Sequence, residues 1–292
     1  VDAVHIPLPT GLRKEWVIRA AQAGKHVLVE KPAGCDVAEV EAMIAACRAA
    51  NVQFMDGVMF MHSARLPAMR AVLDDGASVG DIRRVGVQFT FNGGDEFLRS
   101  NIRSDARLEP QGCMGDLGWY CIRLALWVMK YEMPAKVRGS LIAQHQRPDS
   151  PAAIPTEFSG ELFFPSGATA GFYCSFRTEH SQVATIAGER GYLQLRDFVL
   201  PFSGSETGFL VTGSQFKAEG CRFDMIEGRR HHVVRETSSS EPDSQETNMI
   251  RTFSNHALSG QPDWTWADIT LKTQRVMDAC LDSARRGMEV TL

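Results

Sequence analysis

Three short apolar runs alternate with three helical patterns in the first eighty residues, and that order admits few folds. Ala3–Ile6 reads as a buried strand. Leu12–Ala23 reads as a helix: Trp16, Val17, Ala20 and Ala21 fall at helical spacing, and Gly24 stands where a helix-ending glycine belongs. Val27–Val29 is a second apolar run. Asp36 is placed to cap a second helix, with Glu39 completing a capping box and Val37, Val40, Met43, Ile44 and Cys47 as its apolar stripe. Gln53–Met59 is a third strand, and Pro67 suits the first turn of a helix running to about Leu73. A strand–helix repeat of this kind predicts a parallel, doubly wound sheet.

The pattern changes near Gly80. Val85, Val87, Phe89 and Phe91 alternate as a half-buried strand does. Between Glu157 and Phe176 two alternating runs flank Pro165-Ser166-Gly167, which predicts a hairpin; Ser181–Ala187 and Tyr192–Phe198, joined across Gly188–Gly191, predict another. Apolar residues fall on both parities of the first hairpin, including Phe163 and Tyr173, which predicts that both sheet faces are covered. A helix is predicted over Met114–Met129, an exposed loop over 237–248, and two closing helices over 246–258 and 266–286. The expectation is an α/β chain: part of a doubly wound domain over 1–80, then an α+β domain over 81–292 with a large, mainly antiparallel, open-faced sheet.

Charge and cysteine usage exclude several functions. The net charge of −4 leaves no basic footprint for nucleic acid, and Arg229-Arg230-His231-His232 reads as a solvated strand or loop. No apolar stretch approaches the roughly 18 residues of a membrane span. Seven scattered cysteines, an odd number without a Cys-x-x-Cys pair, predict reduced thiols in a cytoplasm rather than a disulfide scaffold or a zinc site; no metal ligands are assigned.

Two stretches carry chemistry. The run "HVLVEKPAG" ends a buried strand on Glu30, Lys31 and Pro32, and in a parallel sheet ligands bind at the carboxyl ends of strands. In "MGDLGWYCIRLALW", Asp116, Tyr120 and Arg123 fall on one stripe of a helix, with Leu117, Cys121, Leu124 and Val128 opposite. Such a stripe either lines a cleft or is an ordinary solvated face.

Together these stretches resemble the Gfo/Idh/MocA oxidoreductases, and the likeness extends over essentially the whole chain. It is carried by "VDAVHIPLPTGLRKEWVIRAAQAGKHVLVEKP", "SVGDIRRVGVQF", "NIRSDARLEPQGCMGDLGWYCIRLALW", "GERGYLQL" and the ending from "IRTFSNHALSG" to "GMEVTL". The resemblance implies hydride transfer between NAD or NADP and a sugar, polyol or related hydroxy compound. It implies that Lys31 stands beside nicotinamide and substrate, its pKa depressed by burial and a cationic ring, with Pro32 holding a turn whose Lys-Pro bond is commonly cis and Glu30 orienting that turn. Pro9, Thr10, Arg13, Glu30, Lys31 and Pro32 are the implied cofactor contacts. Tyr120 falls where many members carry a catalytic His. A phenol becomes a usable base only if a positive charge lowers its pKa, and Lys31 would supply that charge. Asp116 would bind a substrate hydroxyl or orient Tyr120.

The chain also departs from the family pattern. Arg123 stands where members often have Asp; it either meets a substrate carboxylate or phosphate or pairs with a neighbouring acid. Arg13 replaces a His. Arg103 of "NIRSD" is a further candidate for substrate contact, with His62 and Arg65 weaker ones. No Gly-x-Gly-x-x-Gly turn is present: Gly93-Gly94 is read as neither following a strand nor opening a helix in the required way. The chain also opens within a strand, so the natural protein is expected to begin upstream with the first half of the Rossmann domain. The alternatives are a non-catalytic binding or scaffold protein on the same fold, or an NAD-using glycoside-processing enzyme, for which "DLGWY" offers no His motif. The family commonly dimerises through its sheet, so a homodimer or homotetramer is expected.

Overall fold

The computed structural model describes all 292 residues. Strands β1 (Ala3–Ile6), β2 (His26–Val29) and β3 (Phe54–Asp56) pair in parallel in the order β1-β2-β3. Helices α1 (Thr10–Gln22) and α2 (Val37–Ala49) connect them, as the alternating pattern predicts. Asp36 caps α2 by accepting from the Glu39 N–H, while the Glu39 carboxylate takes the N–H of Cys35 rather than that of Asp36. Two local expectations change. The third strand stops at Asp56 because the chain turns at Gly57 into a 3₁₀ segment over Met59–His62 before α3 (Arg65–Leu73). Trp16 is 48% exposed, since the buried stripe of α1 runs through Arg13, Val17 and Ala21.

The second sheet has nine strands. They are β4 (Ile82–Asn92), β5 (Lys136–His145), β6 (Ile154–Phe163), β7 (Thr169–Ser175), β8 (Arg177–Gly188), β9 (Tyr192–Leu195), β10 (Glu206–Glu219), β11 (Arg222–Arg235) and β12 (Val290–Thr291). Their order is β11-β10-β9-β8-β4-β7-β6-β5-β12. Only β4 and β7 run parallel. Both predicted hairpins form, β6–β7 across Pro165–Gly167 and β8–β9 across Glu189–Gly191. On β6 and β7 one parity (Ile154, Phe158, Leu162, Phe172, Cys174) is buried. The other parity is largely polar: Tyr173 donates to Glu157, and Phe163 lies beneath the Lys136 ammonium. The β10–β11 ribbon escapes the periodicity argument because its outer half is wetted on both faces. Arg229–His232 lies on it. Gly93-Gly94 joins a strand to a helix, the short α4 (Gly94–Ser100), but the strand is β4 of the mixed sheet, outside the parallel sheet where a dinucleotide-binding turn would stand.

The closing helices, α6 (Gln245–Ser259) and α7 (Thr265–Arg286), join the two sheets. Met249 and Phe253 of α6 bury Leu28 and Met55 on the first sheet. Helix α7 packs on α2, β3, β5 and helix α5 (Trp119–Val128). Helix α7 thus ties β3 to the segment that precedes α5, and α6 packs on the 3₁₀ segment after β3.

Candidate active site

Residues 114–128 do not form one uniform helix. Met114–Gly118 is a π-helical turn in which the Trp119 N–H donates to the Met114 carbonyl, five residues back, and α5 follows. Such turns widen a helix locally and recur at functional sites. Gly115 allows this one to touch the loop after β2, since a Cβ there would stand 3.0 Å from Pro32 Cγ and 3.0 Å from Gln111 Oε1. Of the two readings of the Asp116–Tyr120–Arg123 stripe, the solvated face does not form, because α5 is buried on nearly every side.

The turn carries Asp116 to Lys31. Lys31 Nζ donates to Asp116 Oδ1 at 2.7 Å and to the Asp116 backbone oxygen at 2.8 Å. Arg103 Nε takes the other carboxylate oxygen at 2.9 Å. The Lys31 ammonium also lies 4.7 Å from the centre of the Tyr120 ring, and the Tyr120 hydroxyl donates to Met59 Sδ at 3.6 Å. Asp116 therefore orients Lys31 and does not touch the Tyr120 hydroxyl. The Lys31–Pro32 bond is cis. Lys31, Pro32, Arg103 and Asp116 border a cleft of about 220 Å³ outside the carboxyl ends of β1 and β2, also lined by Pro9, Arg13, Glu30 and Glu109, while Tyr120, itself buried, meets it through the Lys31 ammonium. A larger, mainly apolar groove of about 510 Å³ lies beside β1 and Trp16; His5, Arg19 and Lys25 line it, with no carboxylate among the lining residues.

The electrostatics correct two expectations. Burial by itself would lower the Lys31 ammonium, but the charges of Asp116 and Tyr120 and the hydrogen bond to Asp116 reverse that and hold it above its ordinary value. Burial would likewise raise the Asp116 carboxyl, yet Lys31 and Arg103 hold it below the usual carboxylate range. Tyr120 goes the other way from expectation. Burial raises its phenol, Asp116 and Glu30 add to that, and the opposing charge of Lys31 does not compensate. At neutral pH this is a protonated tyrosine beside a charged lysine.

The other predicted residues separate. Glu30 bonds His5 at 3.0 Å and packs on Gly57, which fits an orienting role at the turn. Thr10 is fully buried and gives its N–H and hydroxyl to Glu109. Arg13 donates to Leu8 O at 2.7 Å, to Thr10 Oγ1 at 3.0 Å and to Pro32 O, pinning both loops. Arg65 is buried on Asp197, and His62 stacks on Trp266, its pKa pushed down to about 4 mainly by burial. Arg123 is the clear correction: it is fully buried, paired with Asp56 at 2.5 Å and bonded to Thr273, so no guanidinium is left to meet a solute. Glu109 and Gln111, whose amide donates to the carbonyls of Gly34 and Cys35, escaped the sequence reading. They lie in an irregular stretch with no periodic signal, and only the proximity of Arg103 in sequence could have drawn attention to them.

Comparison with known proteins matches residues 1–58 to the oxidoreductase family with an NAD-binding Rossmann fold, and residues 67–194 to the GFO/IDH/MocA C-terminal domain. A dTDP-3,4-didehydro-2,6-dideoxy-alpha-D-glucose 3-reductase of Streptomyces violaceoruber is 32% identical, over 70% of this chain and 57% of its own length. The chain thus spans little more than half of that relative. A D-xylose 1-dehydrogenase (NADP(+)) of Haloferax volcanii is 27% identical over 100% of this chain and 81% of its own. The crystal structure of a 3-ketoreductase from Actinomadura kijaniata, in complex with NADP and TDP-benzene, superposes with a TM-score of 0.79 at 26% identity, covering 97% of this chain and 78% of that one.

Proposed function

Because the chain belongs to the Gfo/Idh/MocA oxidoreductase family, we propose that it acts in hydride transfer between a nicotinamide cofactor and a carbonyl or hydroxyl carbon of a sugar or related polyol. The observation that carries this reading is the Lys31 ammonium, held between Asp116 and the Tyr120 ring at the carboxyl end of a parallel strand. NADP is favoured over NAD, since the xylose dehydrogenase is named for it and the ketoreductase structure contains it.

The residues present fit the nicotinamide end of such a cofactor. Pro9, Arg13, Glu30, Lys31 and Pro32 line the cleft, while Thr10 shapes its loop from behind. Bound there, the nicotinamide supplies or accepts the hydride. The Tyr120 phenol, kept protonated by burial, donates a proton to the substrate oxygen during reduction and takes it back during oxidation. The Lys31 ammonium stabilises the charge that develops on that oxygen. Arg103, 42% exposed and tied to Asp116 through Nε alone, offers its remaining donors to an anionic part of the substrate.

The relatives named as dTDP-sugar 3-reductases and the protonated Tyr120 favour ketone reduction as the working direction. The sheet face away from the helices carries Gln88, Ser159, Tyr173 and Thr185, all partly exposed, and is the surface on which a second copy of the chain packs in this reading. The unlinked cysteines fit a reducing cytoplasm. The test is NADPH or NADH oxidation, followed by nicotinamide absorbance, over a panel of free and nucleotide-linked ketosugars. Turnover abolished by Tyr120→Phe supports the reading, and binding of the sugars without any turnover would favour a scaffold protein instead.

A further inference from the structure

Arg123 and Asp56 take no part in the chemistry just described, yet they are the most enclosed ion pair in the molecule, with 0% exposure of both side chains. Their placement gives them a reason. Asp56 is the last residue of β3, and Arg123 stands one turn after Tyr120 on α5. The guanidinium is bidentate, Nη2 to Oδ2 at 2.5 Å and Nη1 to Oδ1 at 3.3 Å, and its Nε donates to Thr273 of α7 at 2.8 Å. The chain leaving Asp56 continues the contact. Gly57 donates to Val29 O at 2.7 Å and abuts the Glu30 carboxylate, and Met59 accepts the Tyr120 hydroxyl. One strand end thus grips the tyrosine's helix, receives its hydroxyl, and borders the strand that carries Lys31.

We propose that Asp56 and Arg123 are a positioning pair, which sets the Tyr120 ring under the Lys31 ammonium across the boundary between the two sheets. This rests on the proton-transfer role given to Tyr120 above. Apolar packing between a helix and a strand end tolerates sliding. A planar guanidinium on a carboxylate has one good geometry, and a displacement of about 1 Å at a reacting group costs on the order of 10²-fold in rate. The charged groups facing Tyr120 are Lys31 and Glu30 from the end of β2, Asp116 from the π-helical turn, and Arg103 from the preceding loop.

The test replaces the pair with apolar residues of similar size, Asp56→Leu with Arg123→Met, because such exchanges of buried ion pairs commonly preserve a fold. Arg123→Lys, which keeps the charge but loses the fork, is the second variant and serves alone if the double variant does not fold. The first readout needs no substrate. Tyr120 is titrated by tyrosinate absorbance, as the difference between each protein and the same protein carrying Tyr120→Phe. In the variants the titration should move down toward the ordinary phenol value of about 10, as the ring loses its enclosed position. The second readout is turnover with NADPH and a reducible ketosugar. In the double variant kcat should fall roughly ten- to hundredfold with KM within about twofold, and Arg123→Lys should fall between it and the wild type. A folded variant whose Tyr120 titration is unchanged overturns the proposal. If the wild type itself shows no turnover, the functional reading fails while the titration still decides this one.

Discussion

Lys31 holds Asp116 at two points, its carboxylate at 2.7 Å and its backbone oxygen at 2.8 Å, so a single ammonium fixes both the side chain and the π-helical turn that presents it. The lysine is thus a structural tie between the two sheets as well as the charge in the cleft. A charged Lys31 also explains why Asp116 can be enclosed, with only 14% of its side chain exposed, and still remain ionised.

Replacing Lys31 by Met should lower turnover by about 10²–10⁴-fold, the usual size of a lost acid–base or charge partner. It should also lower the melting temperature, because Asp116 keeps only Arg103 as a counter-charge. Steady-state kinetics together with a thermal melt check both effects, and wild-type turnover in this variant would remove Lys31 from the chemistry.

Tyr120→Phe should leave the fold intact, since the hydroxyl's hydrogen-bond contact is Met59 Sδ. Reduction in the wild type should stay level from neutral pH up to about pH 10, because the phenol's raised pKa keeps its proton in place over that range. The variant should be slow at every pH. A pH–rate profile distinguishes this from a base with a lowered pKa, which would lose activity already near neutrality.

Arg103→Ala should discriminate between substrates. A charge-assisted contact is worth about 1.5–3 kcal/mol, or roughly ten- to hundredfold in KM for a sugar bearing phosphate or carboxylate. A neutral sugar should lose much less. Equal losses toward both would show that Arg103 acts only by holding Asp116.

Gly115→Ala should push the π-helical turn away from the Lys31–Pro32 loop, since the new Cβ meets Pro32 Cγ and Gln111 Oε1 at 3.0 Å. Overpacking of this kind costs about 1–3 kcal/mol. Denaturant unfolding should show that loss, and activity should fall with it as Asp116 retreats from Lys31.

Asp278 supplies a pH dependence of stability. Burial, with the charge of Asp36 adding, pushes its carboxyl up to about 6, although Gln274 and the Val37 N–H pull the other way. The folded chain therefore holds this proton more tightly than the unfolded one. The contribution is fully present below about pH 4 and is lost as the pH rises toward 6. The shift corresponds to about 3 kcal/mol. Asp278→Asn removes the titration, so its stability relative to wild type should improve by an amount of that order between pH 4 and pH 7. A difference independent of pH would mean the carboxyl is not shifted.

Much of this architecture was legible in residue spacing. The parallel strands, the Asp36 cap and both hairpins follow from signals spanning a few residues: apolar alternation, a side chain reaching a nearby N–H, and Pro-Ser-Gly or a glycine-bounded turn. Lys31 stands out because a charged residue ends a buried strand, whereas Asp116 and Tyr120, on a stripe that could equally be a solvated face, are singled out through the family resemblance; the structure brings all three together. The β10–β11 ribbon was not legible, since a strand wetted on both faces has no period to read.

What only the tertiary structure decided is which partners those side chains meet. Arg123 finds Asp56, which lies 67 positions away in the chain, and Thr10 finds Glu109, 99 positions away. Neither pairing leaves a mark on local periodicity. The protonation states depend on the same closure. Lys31 was expected low and stands high, and Tyr120 was expected low and stands high, because their pKa values are set by burial and by neighbours that arrive only when the two sheets come together. Sequence by itself determines the elements and the kinds of chemistry they can carry. The three-dimensional packing decides which charges are compensated, because Coulomb energy and desolvation depend on distance in space and not on separation along the chain.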